Sequence, residues 1–189
     1  MTLFRPAISL FVALSVATGI IHPLAVFAVA QTFFPAQANG SKIEVGGVVV
    51  GSRLIGQNFT SPRFFWGRPS ATGPYPYNGE ASSGSNYGPN HPDQKKAVAD
   101  RIAALKAADP TNSAPIPVDL VTASGSGLDP EISLAAAYYQ AQRVATARGV
   151  SLDEIKAAIG RHAHRRLLGF FGEPRVNVLQ LNLDIEGKS

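Results

Sequence analysis

The densest group of titratable side chains is Arg161, His162, His164, Arg165 and Arg166, and metal or anion binding is the chemistry such a group invites. Its spacing argues against a metal. His162 and His164 are two apart, so on a helix they do not share a face. Cations in the last turn of a helix instead complement its dipole. Three further fragments imitate functional motifs and fail on context. Gly187-Lys188-Ser189 ends like a phosphate loop, but Asn182 stands where the motif needs Gly, and no helix can follow within this sequence. Ser124-Gly125-Ser126-Gly127 lacks the G-x-S-x-G elbow, and its glycines fit a tight turn. His91-Pro92-Asp93 has the tripeptide of J-domain cochaperones, yet a Ser-, Gly- and Asn-rich stretch precedes it in place of a basic helix. With no Cys in the 189 residues, disulfides, thiolate metal sites and cysteine nucleophiles are excluded.

The elements that would hold these residues begin with a run from Ala7 to Ala30 in which His22 alone can ionise. As a helix this run rises about 36 Å, enough to cross a hydrocarbon core of about 30 Å with some tilt. A cleaved signal peptide is the rival reading, because Ala28-Val29-Ala30 has the small-x-small pattern of a cleavage site. The run is too long for a signal core, and Pro23 is tolerated in a membrane helix, so a retained anchor is expected. Arg5 before the span and Lys42 and Arg53 after it leave the charge bias nearly balanced. The expected order is a short cytoplasmic N-terminus (1–6), a transmembrane helix (7–30) and an extracytoplasmic domain (31–189). His22 beside Pro23 has no second ionisable partner in the span and is expected to serve packing.

Residues 31–189 have the size of one ordinary domain. The net charge of +4 comes from scattered basic residues, which favours lipid headgroups or an acidic partner over nucleic acid. Val45 to Leu54 is β-branched and Gly-punctuated, the pattern of a strand or hairpin. Thr60 to Pro92 gathers six of the sixteen aromatics among Gly, Pro, Ser and Asn. A loop this long with that many aromatics reads as an ordered contact surface, with Phe64, Phe65, Trp66, Tyr75 and Tyr77 as candidate partner contacts.

Three helices are then expected. Asp93 to Ala108 carries Val98, Ile102 and Leu105 on one face and stops at Asp109-Pro110. A second starts with Asp129 as N-cap and Pro130 at the first helical position and ends at Gly149. Ser151 and Glu154 form a capping box for a third, bearing Ile155 and Ile159. Leu179, Leu181, Leu183 and Ile185 alternate with Gln180, Asn182 and Asp184, so a closing strand is predicted. The expected class is α/β (α+β), a small sheet with about three helices behind one membrane anchor.

Seven stretches carry a family resemblance: Phe34 to Ser41 (FPAQANGS), Gly51 to Phe59 (GSRLIGQNF), Gly67 to Ala71 (GRPSA), Tyr77-Asn78, Ala81 to Asn86 (ASSGSN), Val118 to Pro130 (VDLVTASGSGLDP) and Gly172 to Leu183 (GEPRVNVLQLNL). In these residues, and over essentially its whole length, the chain resembles the C subunits of the Kdp-type potassium-transporting P-type ATPases. His22, where relatives usually show Tyr, and Tyr139, where Trp is common, depart from the pattern. The resemblance implies a non-catalytic accessory subunit of an ATP-driven potassium importer in the bacterial inner membrane, with its domain on the outer side. It implies three partners: a pore-forming channel-like subunit, a P-type ATP-hydrolysing subunit and a small single-span subunit. It also implies a chaperone role in which ATP is bound jointly with the hydrolysing subunit, with Gln140 as the nucleotide contact. Potassium is the cargo of the complex. The reading from another class is a membrane-tethered envelope binding module or hydrolase unrelated to ion transport.

Overall fold

The computed structural model describes residues 3–188, so the very ends of the expected N-terminal segment and of the phosphate-loop mimic lie outside the described residues. The chain divides into two compact units, one through Lys42 and one from Ile43.

The first unit is helical from Phe4 to Phe33, 30 residues in all, and this helix is long and apolar enough to cross a membrane. It is built as α1 (Phe4–Val16), a π-helical turn (Ala17–Ile21) and α2 (His22–Phe33). Pro23 explains the interruption. It has no N–H to give the carbonyl four residues back, and the His22 N–H reaches to Ala17 O, five back. The Thr18 hydroxyl donates to Leu14 O at 2.8 Å beside the same turn. The short helix α3 (Pro35–Ala38) closes the unit, with Asn39 Nδ2 donating to Pro35 O and Gln31 Oε1.

The second unit opens with a hairpin, β1 (Lys42–Val45) and β2 (Val48–Ser52), turned by Gly46 and Gly47, as the β-branched run predicts. No helix or strand occupies residues 53–91, in line with the expected loop. Helix α4 (Pro92–Ala108) is capped by His91, whose Nδ1 accepts from the Asp93 N–H at 3.2 Å; Leu105 is buried, with Val98 and Ile102 packed behind it.

The expected start of the second helix is corrected. Asp129-Pro130 leads instead into β3 (Glu131–Ser133), because these residues pair antiparallel with β5 (Arg175–Asn177). Helix α5 (Leu134–Arg148) therefore begins four residues later than expected. Ser133 caps it, its Oγ accepting from the Ala136 N–H at 3.0 Å, and Gly149 ends it as predicted. Ser151 caps α6 (Leu152–His162) through the Glu154 N–H at 3.1 Å, also as predicted.

The closing strand is a second correction. After β4 (Ala163–His164) and β5, Asn177 Oδ1 accepts from the Gln180 N–H at 3.1 Å and caps a helix, α7 (Val178–Ile185). Val178, Leu181 and Ile185 satisfy a helical spacing as well as the alternate leucines satisfy a strand. Among its described residues the unit thus holds four α-helices, α4 to α7, rather than three. Its sheet has three short antiparallel strands in the order β3-β5-β4, with Ile132 and Ala163 opposite Val176 in the centre. On α5 half of the buried positions are alanine (Ala136, Ala137, Ala141, Ala145), which lets α6 approach and bury Ile155 and Ile159.

Candidate functional site

The organising feature of the second unit is the way two buried side-chain amides hold the aromatic loop. An extended backbone points the N–H and C=O groups of successive residues to opposite sides. At Phe65 and Trp66 each side meets one amide. Phe65 N–H donates to Asn182 Oδ1 at 2.8 Å and Asn182 Nδ2 donates back to Phe65 O at 3.0 Å. Trp66 N–H donates to Gln140 Oε1 at 2.8 Å and Gln140 Nε2 donates to Trp66 O at 3.1 Å. Asn182 is 2% exposed and Gln140 1% exposed, so α7 and α5 grip the loop in a dry setting where such bonds are costly to leave unmade.

Arg143, one turn beyond Gln140 and also buried, completes the clamp. Its two terminal nitrogens donate to Pro62 O and Gln140 Oε1, each at 2.7 Å, and its guanidinium carbon lies 4.2 Å from the centre of the Trp66 ring. Burial pushes the guanidinium down to about 10, opposed by Asp109 and Tyr139. The Trp66 indole N–H donates to Ser61 O at 2.9 Å, closing the loop on itself.

Further along, the loop docks on residues 123–129. Arg68 pairs with Asp129 at 3.0 Å, Ser124 N–H donates to Pro69 O at 3.1 Å, and Ser83 N–H donates to Ser126 O at 3.0 Å. The Ser70 hydroxyl donates to Gly127 O at 2.7 Å and accepts from the Tyr77 N–H at 2.9 Å. The Tyr77 hydroxyl donates to Arg68 O, and burial first, then Asp129, raises its pKa to about 12. These bonds, made from Pro62 to Ser83, tie the loop to α5, to α7 and to residues 123–129 at several separate points.

The candidate contacts divide under this geometry. Phe65 lies fully in the core; Phe64, Trp66 and Tyr77 are half-buried, and Tyr75 is 54% exposed. Phe64 packs on Phe59 with ring centres 5.5 Å apart. Gln140, the family-implied nucleotide contact, points inward and has both its amide atoms committed to Trp66. A cleft of about 390 Å³ lies beside the loop, lined by Phe59, Trp66, Tyr77, Arg68 and Arg101. Among the described residues no group of three His, Asp or Glu gathers as metal ligands would. In the basic cluster, Arg161 and His162 both turn to Asp184, at 2.7 and 3.1 Å, and His164 lies in β4. Sequence reasoning missed Asn182 and Arg143, whose partners are 117 and 81 residues away. It also missed the apolar Leu167-Leu168-Gly169-Phe170-Phe171 turn, which an Arg pair and Glu-Pro bracket in plain view.

Among the described residues one N-terminal helix is long and apolar enough to cross a membrane, and a mixed helix and small-sheet unit that braces a long surface loop follows it. The family model for the c chain of the K+-transporting ATPase, KdpC, matches residues 4–187, and the chain belongs to that family. It is 60% identical to the potassium-transporting ATPase KdpC subunit of Herpetosiphon aurantiacus over 185 residues, which cover 98% of this chain and 96% of the relative. The KdpC subunit of Janthinobacterium sp. (strain Marseille) is 58% identical over 183 residues, 97% of each chain. That of Dechloromonas aromatica is 57% identical over 188 residues, covering 100% of this chain and 98% of the relative. The chain is therefore an accessory subunit in potassium transport, and its apolar N-terminal helix fits a membrane anchor.

Proposed function

We propose that the chain is a non-catalytic scaffold of the potassium pump. In this reading the N-terminal helix packs among the membrane helices of the complex and the domain stands on the outer side. There the loop from residue 53 to 91 docks on the pore-forming subunit, and the ATP-hydrolysing and small single-span subunits complete the assembly. The observation that carries the reading is the double amide grip on Phe65 and Trp66. Two buried amides and a buried guanidinium give the loop a single conformation, and a preorganised surface binds a partner without first losing entropy. Tyr75, the exposed member of the aromatic group, is the contact of choice, since tyrosine adds large area with few torsions.

Removing residues 43–189 while keeping the helix tests the role. A scaffold predicts that pore and hydrolysing subunits no longer co-purify in mild detergent; an intact pump with altered ATP or potassium dependence supports a modulator instead. Orientation is read by Ser113→Cys, the sole thiol in an otherwise cysteine-free chain. Labelling of intact spheroplasts from outside places the domain there, and protection from the label overturns it. A nucleotide contact by Gln140 is the competing reading. It requires the amide to release Trp66, so ATP would have to change Trp66 emission in the intact pump, and an unchanged spectrum speaks against it.

A further inference from the structure

Between β4 and β5 the chain makes a tight turn closed by reciprocal backbone bonds between Leu167 and Phe171, at 2.9 and 3.0 Å. Leu168 and Gly169 hold positive φ at its apex, and Phe170 and Phe171 lie ring to ring with centres 4.2 Å apart. All four large apolar side chains face outward, with Leu168 75% and Phe170 65% exposed. Scattered exposed apolar residues need no explanation, but four in five consecutive residues on one tight turn do.

We propose that this turn is a lipid contact. Leu167, Leu168, Phe170 and Phe171 enter the boundary between headgroups and acyl chains of a bilayer, and Arg165 binds an anionic headgroup phosphate. Three observations select a bilayer over a protein groove or a second copy of the chain. The apolar knob is rimmed by Arg165, Arg166 and Glu173, a net positive edge that suits an anionic headgroup layer. Apolar and aromatic side chains next to arginines are the composition of segments that lie in the membrane interface. Arg166 is occupied by Glu173 at 2.8 and 3.0 Å, but among the described residues Arg165 has no ion-pair partner and is left for an external anion. The tether supplies the occasion. Only residues 34–42 separate the apolar helix from the second unit, a reach of at most about 30 Å. This inference rests on the membrane-anchor reading.

The test places a nitroxide on the full-length chain reconstituted in phosphatidylcholine vesicles with and without phosphatidylglycerol. Phe170→Cys reports the turn, Leu168→Cys repeats it at a second exposed site, Phe11→Cys reports the span and Ser113→Cys gives the aqueous reference. The expected result is that labels at 168 and 170 relax more with oxygen than with a water-soluble nickel chelate, as at 11, and that phosphatidylglycerol strengthens the effect. Arg165→Gln then lowers the ratio of inserted to free turn about fivefold, one arginine at an anionic surface. Labels at 168 and 170 that behave like 113 in anionic vesicles, while 11 behaves as lipid-exposed, overturn the lipid contact alone. A water-like label at 11 overturns the anchor and the contact with it. Labels shielded from both relaxers only when the other pump subunits are present assign the turn to a protein partner and also overturn the proposal.

Discussion

Phe65 and Asn182 exchange two hydrogen bonds across 117 residues of sequence, joining the aromatic loop to the last helix of the chain. The neighbouring residue makes the same exchange with Gln140 on the opposite side. Asn182 serves a buried peptide and Gln140 a part-buried one, so removing either amide leaves a backbone donor and a backbone acceptor without their partner. Asn182→Leu, which keeps the branched shape but removes the polar atoms, and Gln140→Ala are each expected to lower unfolding free energy by about 2–4 kcal/mol. The two grips hold adjacent peptides, so the double variant should cost about 1 kcal/mol less than the sum. Trp66 is the one tryptophan, and its emission during denaturation in mild detergent reads the loop directly. Strict additivity would mean that the two amides act independently.

Tyr77 makes the domain sensitive to alkali. Its folded pKa of about 12 lies above the ordinary 10.0, through burial and then Asp129, with Arg68 opposing. A raised acid loses stability as its proton is removed: the contribution is complete below pH 10 and falls away as pH rises towards 12, amounting to at most about 3 kcal/mol. Tyr77→Phe should flatten that decline and, by stranding the Arg68 carbonyl, cost about 1–2 kcal/mol at neutral pH. Tyr139, also raised by burial, pulls in the same direction, and Arg143, lowered by burial, pulls in the opposite one. Denaturation midpoints of both chains across this range decide the matter, and parallel curves would assign the alkaline loss elsewhere.

Local signals carried much of this fold, and non-local ones did not. Ser151 before Glu154 and Gly149 after Arg148 act within one turn of helix, so the sequence marks them without reference to the rest of the chain. Asp129-Pro130 looked equally local as a helix start. It was overridden because Glu131–Ser133 finds Arg175–Asn177, a pairing between segments too short to announce themselves. The alternate leucines from 179 to 185 misled for a related reason, since Asn177 caps a helix there and both periods place Leu181 inside. The loop's order was legible from its aromatics, but the amides that impose it lie 74 and 117 residues away, and no spacing rule reaches that far.

Gly127 and Gly160 should respond to the same substitution with opposite signs. Gly127 holds φ +68, and a Cβ there would lie 2.6 Å from Ser83 O and 2.5 Å from Thr72 Cγ2, where the aromatic loop crosses residues 123–129. Gly127→Ala combines backbone strain with overlap against a main-chain atom and should cost about 2–4 kcal/mol. Gly160 sits on the exposed side of α6 with nothing within 4 Å of its missing Cβ. Gly160→Ala should therefore stabilise by about 0.5–1 kcal/mol through helix propensity. Thermal midpoints of the two variants test this, and a harmless Gly127→Ala would show that the loop does not rest on this segment.

Tyr75 separates docking from folding. Its side chain is exposed, and its backbone carbonyl accepts from the Thr72 hydroxyl at 2.8 Å, a bond that a side-chain change leaves in place. Tyr75→Ser is accordingly expected to shift stability by no more than about 0.5 kcal/mol. If the loop is the dock for the pore-forming subunit, loss of a central tyrosine should weaken assembly by about 2 kcal/mol, roughly thirtyfold in affinity. The measurement is the fraction of pump subunits retained by the tagged chain, read beside potassium-stimulated ATP hydrolysis of what is retained. Gln140→Ala provides the contrast, because it should lose retention only together with the loop's order as reported by Trp66. Full retention by Tyr75→Ser at unchanged stability would move the docking surface off this loop.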